Sequence, residues 1–146
     1  MFKIIPFEDK YRDDAIFCLL TAKDALGRVP TINEDLLHIQ QNYFDRGDMF
    51  WIAVNRAGRV IGMLGTNTVS PSELWLKRLY IMPAYKRKGI AGALLGVVEA
   101  FARDKGVSVI HTRFAEDYRE APLFYGAKGF RGVSFHDGVR QFSKRI

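Results

Sequence analysis

The sequence predicts an α/β domain, α+β by some schemes, with a mixed central sheet of about seven strands flanked by about four helices. Three observations predict it. Segments with strand-like and helix-like apolar periods alternate along all 146 residues. The β-rich run Glu73 to Met82 leads through a short turn into a long helix with one apolar face, the strand-turn-helix unit of a helix-covered sheet. Two β-rich runs flank Asp137-Gly138, a hairpin signal, so antiparallel strands join any parallel pair.

Phe2 to Phe7 alternates weakly and reads as a first strand. Asp9 to Leu26 places Ala15, Ile16, Leu19, Leu20 and Ala22 at helical spacing, ended by Gly27 and Pro30. A second helix is expected over Asn33 to Tyr43, capped by Thr31 or Asn33, with Ile32, Leu36, Leu37, Ile39 and Tyr43 as its stripe. Arg46-Gly47-Asp48 is a turn. Met49 to Asn55 and Arg59 to Val69 are strands joined by a tight hairpin at Asn55-Arg56-Ala57-Gly58. Ser70-Pro71-Ser72 breaks the second run before the strand at Glu73 to Met82. The clearest helix carries Ile90, Leu94, Val97, Val98, Phe101 and Ala102 on one face and stops at Gly106. Val107 to Arg113 reads as a buried strand, and Glu120 to Lys128 as a short helix with Pro122 in its first turn and Gly129 closing it. Phe130 to His136 and Val139 to Lys144 complete the order β-α-α-β-β-β-α-β-α-β-β.

Composition bounds the function classes. With 48% hydrophobic and 26% charged residues the chain reads as one globular domain over 1–146, not a disordered tail. The lone Cys18 allows no internal disulfide and no zinc framework, and no metal is expected. No apolar run approaches the roughly 20 residues that cross a bilayer, and the N-terminus lacks a signal-peptide pattern. A cytoplasmic protein without a membrane partner is therefore expected. The net charge of +6 favours an anionic ligand. Five cations lie between Lys77 and Lys88, a second group comprises Arg131, Arg140, Lys144 and Arg145, and acidic residues dominate Glu8 to Asp48. No nucleic-acid motif accompanies the charge, so none is expected as partner.

The richest stretch is Leu79-Tyr80-Ile81-Met82-Pro83-Ala84-Tyr85-Lys86-Arg87-Lys88-Gly89-Ile90-Ala91-Gly92. A strand stops at Pro83, passes a cationic turn and opens a helix at glycine. Unpaired N–H groups at a helix start lie at the positive end of its dipole, which suits a pyrophosphate. Gly89, Gly92 and Gly96 do not match the G-x-G-x-x-G dinucleotide fingerprint, and no G-x-x-x-x-G-K-[ST] segment exists.

Lys86-Arg87-Lys88-Gly89-Ile90-Ala91 resembles motif A of the GNAT superfamily of N-acetyltransferases, [RQ]-x-x-G-x-[GA]. Ala121-Pro122-Leu123-Phe124-Tyr125-Gly126-Ala127-Lys128-Gly129-Phe130 resembles its motif B, A-x-x-[LF]-Y-x-x-x-G-F. The resemblance implies acetyl-CoA as acetyl donor. It implies that Lys86, Arg87, Lys88, Gly89, Ile90, Ala91 and Gly92 bind its pyrophosphate, and that Leu79, Tyr80 and Ile81 pair through their backbone with its pantetheine arm. Lys86 departs from the usual arginine or glutamine and lacks the planar fork. An asparagine common before motif B falls at Tyr118, and a glutamate common on the preceding strand falls at Trp75.

Acyl transfer to an amine needs a neutral nucleophile, a stabilised oxyanion and a proton for the departing thiolate. Glu73, the one acid on the strand, is the candidate base, and Tyr125 the candidate acid, since a phenol stays protonated at neutral pH. His111 could face the core or reach the chemistry; His38, His136 and Cys18 read as ordinary. The acceptor pocket is expected from Leu26 to Asn33 and the C-terminal hairpin. Asp24, Glu34 and Asp35 suit a cationic amine, Arg28 a carboxylate. The expected function is transfer of the acetyl group to a primary amine of a small molecule or peptide in a ternary complex, by a chain that allows a homodimer. The alternative is a non-catalytic CoA-binding sensor or degenerate module.

Overall fold

The computed structural model describes residues 1–146. Its seven strands are β1 (Phe2–Pro6), β2 (Phe50–Asn55), β3 (Val60–Ser70), β4 (Glu73–Ile81), β5 (Val109–Ala115), β6 (Arg131–His136) and β7 (Val139–Arg145). The helices are α1 (Arg12–Ala25), α2 (Ile39–Asn42), α3 (Ile90–Asp104) and α4 (Glu120–Ala127). The sheet order is β1-β2-β3-β4-β5-β7-β6, in which β4 and β5 run parallel while β1 with β2, β2 with β3, β5 with β7 and β6 with β7 are antiparallel. This is the expected mixed α/β sheet.

Two compact units divide the chain: Met1–Asn67 with Lys77–Val98, and Thr68–Leu76 with Glu99–Ile146. In the first, β2 is buried along nearly its whole length. Ile52 and Val54 of β2 join Ala15, Cys18 and Leu19 of α1 in one buried cluster that also takes Leu36, Ile39, Tyr43 and Phe50. The Asn55 side chain accepts from the N–H groups of Ala57 and Arg59, at 3.0 Å each, which closes the β2-β3 turn. Gly65 of β3 is there for space. A Cβ on it would stand 2.6 Å from Phe50 Cδ2 and 2.8 Å from Tyr43 Cε1, and those rings meet edge to face at 4.9 Å. Gly65→Ala is therefore expected to lower stability by about 1–3 kcal/mol; a urea midpoint equal to that of the parent would show that the rings yield freely.

The second unit is antiparallel and aromatic. Phe114, Tyr125 and Phe130 cluster, Tyr125 lying parallel to Phe114 at 5.8 Å and tilted against Phe130 at 5.3 Å. Lys144 of β7 reaches Glu99 of α3 at 2.9 Å. Helix ends explain two shifted boundaries. After Gly106, at φ 79°, the Val107 N–H bonds back to the Ala102 carbonyl at 2.9 Å, so Val107 seals α3 and the strand begins at Val109. Likewise Gly129 has φ 90° and the Phe130 N–H returns to the Tyr125 carbonyl at 2.9 Å, which gives Tyr-x-x-x-Gly-Phe a local physical meaning.

The helix expected over Asn33 to Tyr43 forms differently: a 3-10 turn over Glu34–His38 precedes the four-residue α2. Burial selects the break. Leu36, Ile39 and Tyr43 are buried, but Leu37 is left out at 37% exposure, so the broad stripe needed for one regular helix is not used. The Asp35 carbonyl accepts from the Asn42 side chain at 3.2 Å, a substitute for backbone pairing. No helix is long and apolar enough to cross a membrane.

Candidate functional site

The cationic turn is built by backbone conformation. A 3-10 turn over Pro83–Tyr85 follows β4, tied by the Met82 N–H to Ile61 carbonyl bond at 2.9 Å and by the Asn55 amide donating to the Tyr85 hydroxyl at 3.0 Å. Lys86 is extended, with φ −64° and ψ 154°. Arg87 then adopts φ 62° and Gly89 φ 82°, both left-handed, and α3 begins at Ile90. Alternation of that kind turns successive N–H groups toward one concavity, as in anion-binding nests. The first N–H groups of α3 have no carbonyl four residues earlier in the helix, and the Gly89 carbonyl accepts the Ala93 N–H at 3.0 Å. Arg87, Lys88 and Gly89 are exposed, whereas Ile90 anchors the helix start at 2% exposure. A helix start with cations at its lip is an arrangement that can hold an anion.

Strand β4 supplies the adjoining element. Its ladder to β5 covers only Glu73, Leu74 and Trp75, opposite Val109, Ile110 and His111. The edge of Leu79, Tyr80 and Ile81 is therefore not used in that ladder, and its N–H and C=O groups suit an extended amide chain. Upstream of them Arg78 holds φ 62° inside the strand. Its guanidinium grips Asp35 with Nη2 to Oδ1 at 2.8 Å and Nε to Oδ2 at 3.1 Å, and the Tyr43 hydroxyl donates to the same carboxylate at 2.5 Å. Lys23 donates to the Thr31 carbonyl at 2.7 Å.

Glu73 and His111 belong to the second unit and meet there. His111 Nε2 lies 2.7 Å from Glu73 Oε1, and Nδ1 2.6 Å from Ser143 Oγ. A neutral imidazole that donates to the carboxylate and accepts from the hydroxyl satisfies both contacts. Trp75 stacks obliquely on His111 at 5.0 Å and carries the Arg113 guanidinium 4.7 Å above its ring. Glu73 keeps 44% of its side chain exposed, and its second oxygen, Oε2, accepts a long 3.4 Å contact from the Ser70 hydroxyl. Tyr125, also in the second unit, is 6% exposed. Burial raises the pKa of its phenol, while a hydrogen bond with Thr112 acts in the opposite direction.

Cys18 is fully buried and its thiol is pushed up to about 12, first by burial and then by the Asp14 charge, so it is an inert packing group. A groove of about 460 Å³ lined by Asp9, Lys10, Asp13, Gln40 and Asp45, among others, shares no residue with the cradle. Sequence reasoning missed Arg78, Asp35 as its partner, and Ser143 beside His111. None had a signal in the sequence, since His111 meets Ser143 only because β5 pairs with β7.

Two carboxyls make stability pH-dependent. Hydrogen bonds from Arg59 hold Asp14 below the usual range although burial raises it, with the Val60 N–H also donating. Burial pushes Asp35 up, but Arg78 and Tyr43 more than offset it, and its net shift is also downward. Depressed folded pKa values mean stability that is complete above the unfolded value of about 3.9 and is lost as pH falls through the folded values. The thermal midpoint should therefore fall steeply below about pH 4, and Asp14→Asn should flatten that limb while lowering the neutral plateau. An unchanged acid slope in the variant would remove Asp14 from the account.

Comparisons with known proteins point in one direction. The family model described as "Acetyltransferase (GNAT) family" matches residues 12–130. Human N-acetyltransferase 8 is 34% identical over 113 residues, which cover 72% of this chain and 49% of that protein. The N-acetyltransferase 8 of Rattus norvegicus is 33% identical over 114 residues, covering 73% and 51%. The chain thus spans about half the length of the curated relatives it matches. A GNAT-family acetyltransferase of Staphylococcus aureus MU50 superposes with a TM-score of 0.90 at 20% identity over 99% of both chains. The PaiA N-acetyltransferase of Thermoplasma acidophilum, solved in complex with coenzyme A, superposes at 0.84 with 18% identity over 100% of this chain and 99% of that one.

Proposed function

Because the chain belongs to the acetyltransferase (GNAT) family, we propose that it transfers the acetyl group of acetyl-CoA to a primary amine of a small molecule or peptide by direct attack in a ternary complex. The observation that carries this reading is the left-handed, cationic turn at the head of α3, with Arg87 at φ 62° and Gly89 at φ 82°. Lys86, Arg87 and Lys88 with the N–H groups of Gly89 to Gly92 take the pyrophosphate, and the backbone of Leu79, Tyr80 and Ile81 takes the pantetheine arm. The presence of coenzyme A in the Thermoplasma acidophilum relative supports that choice of phosphate ligand.

The amine must lose its proton before it attacks, because an alkylammonium of pKa near 10.4 is neutral only about once in a few thousand at pH 7. Glu73, with one oxygen on His111, the other only 3.4 Å from the Ser70 hydroxyl and 44% of its side chain exposed, accepts that proton through water. Nitrogen bonds to the carbonyl carbon, the oxyanion draws on strand N–H groups near Tyr80, and the carbon–sulfur bond breaks. Tyr125 supplies the proton to the departing thiolate.

A second reading, a CoA sensor without turnover, is favoured by the burial of Tyr125 and by Trp75 in place of a glutamate. One assay separates the two. Incubation with acetyl-CoA and an amine library should release free thiol in step with acetylated amine; binding of CoA without amine-dependent thiol release would favour the sensor.

A further inference from the structure

We propose that Arg78 is a positioning residue for acetyl-CoA, held by Asp35 and Tyr43, that fixes the backbone leading into Leu79 to Ile81 and ties the segment after α1 to it. The proposal rests on the reading that Leu79 to Ile81 receive the pantetheine arm. Arginine at φ 62° within a strand is uncommon, because left-handed backbone is adopted far more readily by glycine, asparagine or aspartate. Such a residue persists only where its surroundings over-determine it.

Asp35 takes three contacts from the Arg78 fork, at 2.8, 3.1 and 3.2 Å, and is itself held by the Tyr43 hydroxyl. Tyr43 is 4% exposed and packed against Phe50, so the carboxylate is anchored to the core of its unit. Both charged side chains are about three-quarters covered, at 26% and 23% exposure, where an ion pair is screened weakly and its geometry counts.

Two further facts make the clamp more than a stability device. The β5 ladder stops at Trp75, so it does not hold the edge of Leu79 to Ile81. The same network brackets the expected acceptor segment: Lys23 holds Thr31 before it ends, and Asp35 holds Arg78 just after it. A change at Asp35 thus reaches the donor strand and the acceptor side together.

The test is calorimetric titration of CoA into the parent, Asp35→Asn, Arg78→Gly and the double variant, each well below its thermal midpoint. Glycine adopts φ 62° at no steric cost, so Arg78→Gly removes the fork without opposing the backbone. Each single variant is expected to weaken CoA binding about tenfold, and the double variant by about the same tenfold, because either change breaks one unit. Arg78→Lys, which keeps charge but loses the fork, should lie between and guards against a misfolded Asp35→Asn. A structural role alone would lower the midpoints and leave the CoA affinities of the folded variants within twofold, and that result overturns the proposal. So would a double variant weaker by the product of the singles. Failure of the parent to bind CoA overturns the pantetheine reading and the proposal with it, whereas unchanged variants of a binding parent overturn the clamp alone.

Discussion

Arg87→Gly combined with Lys88→Gln is expected to weaken CoA binding by about a hundredfold while moving the thermal midpoint of the free protein by no more than a few degrees. Hydrogen bonds to charged groups contribute about 1.5–3 kcal/mol each, so losing two cations at the lip of the cradle removes about 3 kcal/mol, which is about a hundredfold in affinity. Stability responds differently because Arg87 is left-handed, at φ 62°. Releasing that strain gains about 1–2 kcal/mol, and the added freedom of glycine in the unfolded chain offsets about 0.5–1 kcal/mol of it. Arg87 and Lys88 are exposed, so little packing is lost. Unfolding scans with titration of CoA separate the two effects. Affinity within threefold of the parent would move the pyrophosphate away from this turn.

Tyr125→Phe should leave CoA affinity within a few-fold and cut turnover about tenfold or more, the scale of a lost general acid. The same change removes the hydroxyl that bonds with the buried Thr112, at a stability cost of about 1 kcal/mol. The ring contacts with Phe114 and Phe130 are retained in phenylalanine, so the fold survives. Measured kcat beside a urea midpoint tells the roles apart. Full turnover with a lowered midpoint would make Tyr125 a structural residue, and the sensor reading would gain from it only if the parent also failed to turn over.

The sequence makes legible whatever is decided by short-range pattern. The succession of strands and helices along the chain, the Asn55 to Gly58 turn, the long face of α3 and the glycine stops at 106 and 129 all follow from period and backbone preference, which act over a few residues. The cationic turn was visible for the same reason, since charge, glycine and helix start are adjacent in the chain. What escaped was set by distant partners. The segment 33–43 carries apolar spacing for one helix, but packing takes only part of that stripe and Asp35 is drawn to Arg78, so a 3-10 turn and a short helix result. Nothing in Lys77-Arg78-Leu79 announces a left-handed arginine, because the cause lies 43 residues away. Glu73 was visible as the lone acid of its strand, but its engagement by His111 depends on parallel pairing that sequence does not specify.

The most direct measurement of the central claim is a thermal-shift comparison with CoA, acetyl-CoA and NADH. A ligand at a hundred times its Kd adds about 2.7 kcal/mol to the folded state, a displacement of several degrees for a domain of this size. Stabilisation by both CoA species and not by NADH is the predicted result. Stabilisation by NADH alone, or by none of the three, would contradict the assignment of the turn at the head of α3 to coenzyme A.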